Sequence, residues 1–373
     1  MKILLVFTYG YSLKTWESSG TLNRELSIYK ELEKNYGHSF IFLTYGDESD
    51  FECDLEELDI TVIPVYKYIK KSNIRLVNFI KSFYFVFAYR NKFKDVDLIK
   101  QNQLLGSWVS IGLKILNKIP LFTRTGYDMH KFSLQQNNKK LITFLYYNLT
   151  KLTIKHSNLY SLSNSADFNF YKRKYSIDKL ALRQNWVLPV EKIDFENRNK
   201  NKILCVGRLE KQKNLIYTLN ELSEIGFEID IVGEGSELEK LIEKSKKVNL
   251  KVNFLGKISN ENLIKMYSNY RFFVSSSLYE GHPKTVIEAM ASGCVVFLSN
   301  IPNHAELVDD GVNGFIYNLD KNMLRNKFNN VFDDIDSLKK ISENAINSSD
   351  DKFNLQIISY QENEDYKFLQ SFK

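Results

Sequence analysis

Cysteine, proline and histidine are scarce: the 373 residues include three cysteines, five prolines and five histidines. Cys53, Cys205 and Cys294 are widely spaced and odd in number, with no C-x-x-C pair. That argues against a disulfide framework and a cysteine-rich zinc site, and a reducing cytoplasmic setting is expected. No uninterrupted apolar stretch approaches the roughly 20 residues that a membrane-spanning helix needs. The opening M-K-I-L-L-V-F is interrupted by Thr8, Gly10 and Ser12, with no small-residue cleavage site after it. Residues 3–7 therefore read as a first buried strand rather than a leader.

With 43% hydrophobic and 26% charged residues, the composition suits a soluble globular protein, and the length points to two domains. The net charge of +6 is uneven, +10 over residues 1–187 and −4 over the rest. Residues 61–94 contain no acidic side chain but many Lys, Arg, Phe and Tyr, which argues for an anionic partner of the first half. Nucleic acid is not expected, because these residues form no recognised binding module.

Short apolar runs alternate with longer amphipathic segments, the pattern of an α/β protein with mostly parallel sheets. Strands are expected at 3–7, 40–44, 61–65, 98–101, 121–124 and 159–163. The pattern restarts at 202–206 and continues at 228–232, 252–255, 272–275, 295–298 and 315–317. The reading is of two doubly wound, Rossmann-like domains facing a central cleft. An N-terminal domain spans 1–187, a linker 188–201, a second domain 202–351 and a C-terminal helix 352–373. Ligands of such sheets bind beyond the carboxyl ends of the strands, and the motifs below fall there.

The segment E-G-H-P-K-T-V-I-E, from Glu280 to Glu288, places two carboxylates around a glycine-led turn. Pro283 suits the first helical position, where a missing N–H costs nothing. The free N–H groups that follow, with the helix dipole, make an anion site flanked by acceptors of hydroxyl protons. Such a combination suits a sugar joined to a phosphate. After the first strand of the second domain comes V-G-R-L-E-K-Q-K-N, residues 206–214. There Gly207 allows a sharp turn, and Arg208 and Lys213 suit a diphosphate, one as a fork and one as a mobile point charge. I-V-G-E-G, residues 231–235, offers Gly233 for close backbone approach but lacks the third glycine of a dinucleotide fingerprint. F-L-G-K-I, ending at Ile258, could line a base pocket, or equally be only a turn that ends the strand. In the first domain Ser19 is a candidate N-cap before a helix, next to Gly20. R-T-G-Y-D offers Arg124 and Asp128 at a strand end.

Together these segments, with Asn185-Trp186-Val187, resemble the family 4 retaining glycosyltransferases of the GT-B fold. The resemblance runs along almost the whole chain and is strongest over 202–317. It implies that Arg208 and Lys213 hold the donor diphosphate, and that Glu280 contacts sugar hydroxyls beside Gly281 and His282. It further implies main-chain donors at Thr285 and Val286 near Lys284, and a Glu288 carboxylate on the ribose. Gly20 would match an N-terminal glycine loop in which Ser19 replaces one glycine. The sequence departs from the family at His282, where phenylalanine is common, and at Leu188, where an acidic residue often stands. A first-domain histidine near the reacting centre is also replaced, His130 following R-T-G-Y-D.

The implied reaction moves a sugar from a nucleotide diphosphate sugar to a glycan or lipid-linked acceptor hydroxyl, with no metal and no further cofactor. Asp95-Val96-Asp97 reads as the lead-in to a strand rather than a metal-binding D-x-D. The rival readings are a sugar-nucleotide epimerase or hydrolase of the same fold, and a non-catalytic nucleotide-sugar-binding subunit. The basic, aromatic stretch 61–94 leads us to expect peripheral contact with an anionic membrane surface at the inner face of the cell membrane.

Overall fold

The computed structural model describes residues 1–136, 139–175 and 179–372. The chain divides into two compact units, Met1–Gln184 with Leu355–Lys373, and Asn185–Asn354. Each is built on one parallel sheet.

In the first unit the strands are β1 (Lys2–Val6), β2 (Ser39–Thr44), β3 (Ile60–Pro64), β4 (Leu98–Asn102), β5 (Leu121–Thr125), β6 (Leu159–Leu162) and β7 (Leu180–Leu182). They lie in the order β3-β2-β1-β4-β5-β6-β7. Ile3 pairs with Phe40 on one side and Leu98 on the other, so β1 is an interior strand. Its residues Ile3, Leu4, Leu5 and Val6 are wholly buried, as expected of a strand covered by helices on both faces.

The second unit repeats the plan with β8 (Asn199–Val206), β9 (Glu228–Val232), β10 (Val252–Phe254), β11 (Tyr270–Ser275), β12 (Val295–Ser299) and β13 (Phe315–Tyr317). Their order is β10-β9-β8-β11-β12-β13. Alternate residues feed two cores: Leu204, Phe273, Val296 and Leu298 join one, while Ile203, Cys205, Phe272 and Phe297 join the other. This is the two-residue period of a strand with both faces covered.

Three features of residues 180–201 differ from the sequence reading: the linker, the start of β8 and the unforeseen strand β7. The segment 188–201 is no loose linker: Phe195 lies in a core, Arg198 is buried, and β8 already begins at Asn199. Arg198 donates to the carbonyls of Ile193 and Ser292, which fixes the segment to the second unit. The third difference is β7, whose three residues are too few to show a period.

The C-terminal helix starts at Leu355 and packs in the first unit, where Glu362, Asp365 and Tyr366 are buried. Glu362 pairs with Lys100 of β4, and Arg183 grips Asp365 through two bonds of 2.6 Å. Burial raises the Glu362 pKa, but Lys100 and Arg124 outweigh it and hold the carboxyl below the usual range. Phe353 and Ile358 are buried, whereas Tyr360 is 56% exposed.

Candidate functional site

The strand order of the second sheet reverses direction between β8 and β11, and crevices at such points hold ligands. The chain leaving β8 carries Gly207, Arg208 and Lys213; the chain leaving β11 carries Ser277 and Glu280. Gly207 has φ +155°, and a Cβ there would stand 2.8 Å from Cε of Lys213. The missing side chain is thus what lets the lysine stem cross the turn. Gly233, at φ +138°, would place a Cβ 1.9 Å from the Gly207 carbonyl oxygen. The close approach it permits is of chain to chain, joining the ends of β8 and β9, and its N–H donates to Gly256 at 2.7 Å.

Lys213 and Glu280 meet. The ammonium lies 2.5 Å from Oε1 of Glu280, which also accepts from the Ser277 hydroxyl at 2.7 Å. Gln212 links the two loops further, accepting from the Leu278 N–H at 2.9 Å and donating to the Tyr279 carbonyl at 2.8 Å. Its amide is also 3.3 Å from Oε2 of Glu280. Burial pushes the Glu280 pKa up, but Lys213 and Ser277 overcome this and leave it below the ordinary carboxylate range. The carboxylate is therefore ionised at neutral pH. Arg208 is exposed and makes no ion pair among the described residues. Of the two cations that the sequence singles out it is the solvent-facing one, and Lys213 is the one held by a carboxylate.

His304, beyond β12, is a site residue that the sequence reading missed. Its Nδ1 is 3.0 Å from the Ser299 carbonyl, so the proton sits on Nδ1, and buried Nε2 has no hydrogen-bond partner among the described residues. Burial drives its pKa down to about 4, against the pull of Glu280. The sign of the consequence is fixed: the unfolded chain binds a proton below about 6.5 that the folded chain refuses down to about 4. His304 thus costs stability as pH falls through that window, by up to about 3 kcal/mol. His304→Gln should show a smaller drop in thermal midpoint between pH 7 and pH 5 than the parent. An equal drop in both proteins would contradict this.

The helix Lys284–Ala291 begins one residue later than expected, with Pro283 as N-cap at φ −74° and ψ 99°. The Val286 N–H is donated to the Pro283 carbonyl at 3.1 Å, which corrects its assignment as a ligand donor; Thr285 N–H has no backbone acceptor among the described residues. Glu288 is buried at 2% exposure, its oxygens 3.0 Å from Asn260 Nδ2 and 3.5 Å from the Tyr267 hydroxyl. Asn185 donates to the His282 carbonyl at 3.0 Å, and Asn303 to that of Gly281 at 2.6 Å. The His282 ring meets Phe353 edge-on with centroids 5.4 Å apart, and Lys284 Nζ stands 5.2 Å over Trp186. The Asn185-Trp186-Val187 segment thus shapes the turn before the helix. Ile258 packs against the core rather than standing free.

In the first unit, Gly20 follows a helix, Leu13–Ser18, that the sequence reading did not foresee. Ser19 ends that helix, its hydroxyl on the Trp16 carbonyl at 2.9 Å, while Thr21 is the N-cap of the next one. Ser19 as N-cap is therefore corrected. Arg124 and Asp128 are also reassigned from the acceptor side. Arg124, buried beside Glu362, donates to the Gln184 carbonyl at 2.8 Å. Asp128 caps the helix Met129–Gln135 by accepting from the N–H groups of His130 and Lys131. Asp97 accepts from the Lys2 N–H at 2.8 Å, tying β4 to β1. Among the described residues there is no cluster of three or more potential metal ligands.

Residues 190–348 match the family model of glycosyl transferases group 1. The chain is 24% identical over 333 residues to CapH of Staphylococcus aureus, a capsular polysaccharide biosynthesis glycosyltransferase, covering 82% of this chain and 83% of that one. It is 26% identical over 193 residues to a Campylobacter jejuni N-acetylgalactosaminyltransferase named for a PP-undecaprenol-linked glycan. That match covers 50% of this chain and about half, 53%, of the relative. Among solved structures, Anabaena HepE in complex with UDP and glucose superposes with a TM-score of 0.77 at 16% identity, over 99% of this chain and 100% of that one. The fold is GT-B.

Proposed function

Because residues 190–348 match the family model of glycosyl transferases group 1, we propose that the chain is a retaining glycosyltransferase. It moves a sugar from a nucleotide diphosphate sugar to a hydroxyl of a glycan or lipid-linked glycan, in surface polysaccharide biosynthesis. The observation that carries this reading is the Lys213–Glu280 pair at the reversal of the second sheet, with Arg208 exposed beside it. A paired cation and carboxylate at one crevice match the two ends of a donor, the diphosphate and the sugar hydroxyls. The capsular role in the name of the Staphylococcus aureus relative and the lipid-linked glycan in that of the Campylobacter jejuni relative support the acceptor class.

In the proposed step the anomeric C–O bond of the donor breaks and its electron pair stays on the diphosphate. The acceptor oxygen bonds to the anomeric carbon from the same face, and its proton passes to a diphosphate oxygen. Arg208, Lys213 and the Thr285 N–H meet the negative charge as it develops, which lowers the barrier by electrostatic stabilisation. No divalent cation and no dedicated protein base are assigned to the step. A peripheral position at the inner face of the cell membrane is proposed with it. Leu76, Ile80, Tyr84 and Phe87 of the helix Arg75–Tyr89 support that position, each more than half exposed in an acid-free stretch. Among the described residues no helix is long and apolar enough to cross a membrane.

The two glutamates divide the work. Glu280→Gln should damage turnover and sugar selection while leaving the affinity for free nucleoside diphosphate near the parent's. Glu288→Gln should mainly weaken nucleotide binding. Calorimetry with free nucleoside diphosphate and NMR of the transferred sugar's anomeric configuration measure both. Equal losses of nucleotide affinity would rule out the division, and an inverted or merely hydrolysed sugar would rule out retaining transfer.

A further inference from the structure

The helix Lys140–His156 of the first unit carries a large apolar face outward. It buries Thr143, Thr150, Thr153 and Ile154, whereas Leu141 is 68%, Phe144 61% and Leu145 56% exposed. Helices facing only water bury the apolar stripe and expose the polar one. The helix Arg75–Tyr89 buries Asn78 and Ser82 beside Phe85 and Val86 and exposes Leu76, Ile80, Tyr84 and Phe87, and both helices pack against Ser107–Asn117. A broad outward apolar face of this kind marks contact with a non-aqueous partner.

A pocket of about 630 Å³ opens beside this face, lined by rings of Phe144 and Tyr147 and by three basic groups, His130, Lys140 and Lys174. Lys174 Nζ stands 4.9 Å over the Tyr147 ring, and the His130 ring centroid is 5.3 Å from it. The neighbouring carboxylates are engaged: Asp128 caps its helix, and Asp167 pairs with Lys131 at 2.5 Å. Lys140 and Lys174 make no ion pair among the described residues. Residues 129–166 contain no acidic residue, and none lines the pocket.

We propose that this pocket seats the phosphate head of an amphiphilic acceptor, with its hydrocarbon chain along Leu141, Phe144 and Leu145. The inference rests on the lipid-linked reading of the acceptor and gives it a location in the first unit. A phosphate ester supplies the negative charge that Lys140, Lys174 and His130 can hydrogen-bond, as a sugar hydroxyl alone would not. The chain supplies the cover that the exposed leucines lack.

The test uses the full-length protein and phosphatidylcholine vesicles carrying hexadecyl phosphate, with co-sedimentation as the readout. The parent should bind them about thirtyfold more tightly than vesicles carrying the same fraction of phosphatidylglycerol, the effect of two well-placed basic groups near a phosphate head. The Lys140→Gln/Lys174→Gln protein should lose that gain, and Phe144→Ser, at an exposed position, should lose part of it. Vesicles carrying phosphatidylglycerol should bind all three proteins alike, through the basic stretch 61–94. Parent-like binding by the double variant would overturn the proposal. So would an equal loss on phosphatidylglycerol, which would mean a diffuse basic surface, or full competition by inorganic phosphate, which would mean a site for free phosphate. Nucleoside diphosphate binding by the same samples reports on the second unit separately, so loss of one reading is distinguishable from loss of the other.

Discussion

Lys213→Ala is expected to remove sugar transfer and to loosen the second unit in the same stroke. The ammonium is proposed to stabilise the departing diphosphate, and losing one such donor costs on the order of 100- to 1000-fold in turnover. The structural cost is separate. Glu280 is 9% exposed and kept ionised by Lys213, so the variant leaves a buried carboxylate with its main cation gone. Breaking one side of such a pair costs about 3 kcal/mol. Three measurements separate the two effects. Arg208→Ala, at an exposed residue, should lose transfer to a similar degree with the thermal midpoint unchanged. The Lys213→Ala/Glu280→Gln protein should recover most of the lost stability and none of the transfer. Turnover of Lys213→Ala within a few-fold of the parent, in a folded protein, would remove Lys213 from the diphosphate.

Lys100→Ala carries the largest expected effect on stability. Lys100 and Glu362 are 1% and 2% exposed, and Glu362 also accepts from the Tyr366 hydroxyl. Removing the lysine strands a charge inside the first unit, at a cost of about 3–5 kcal/mol. The C-terminal helix is what that charge sits on, so proteolysis should release the segment beyond Asn354 far faster than in the parent. Replacing both partners by apolar residues of similar volume, Lys100→Met with Glu362→Leu, should restore the midpoint because no charge then lacks its partner. A Lys100→Ala protein with the parent's midpoint and protease resistance would show that the pair does not hold the helix.

Strands were the most legible elements. Glu228–Val232 and Phe315–Tyr317 match their expected bounds, because apolar runs of that length ended by glycine or polar residues have few other uses. The C-terminal helix was legible as a helix but not as part of the first unit. Its partners Lys100 and Arg183 lie far away in sequence, and a lysine inside a strand gives no local sign of a buried partner. Helix Arg75–Tyr89 was missed because its apolar residues point both inward and outward, which blurs the helical period. In the site, Lys213 and Glu280 were chosen from two separate motifs, and it is the pairing of β8 with β11 that brings those motifs together. His304, Gln212, Ser277 and Asn260 had no motif to mark them. His304 could have been found by the rule that picked the others, since it too follows the carboxyl end of a strand. Arg124 and Asp128 satisfied that rule and proved to be an interior ion-network member and a helix cap. Position beyond a strand end is therefore only a first filter, and the company a side chain keeps decides its use.

The central claim is that the second unit binds a nucleoside diphosphate through Arg208 and Lys213. Calorimetric titration of the full chain with UDP, GDP, ADP, CDP and dTDP tests it most directly. The account predicts saturable one-to-one binding of at least one of them, weakened about tenfold or more in Arg208→Ala, since a charged hydrogen bond contributes about 1.5–3 kcal/mol. Binding of none of the five, or binding that Arg208→Ala leaves unchanged, would contradict it.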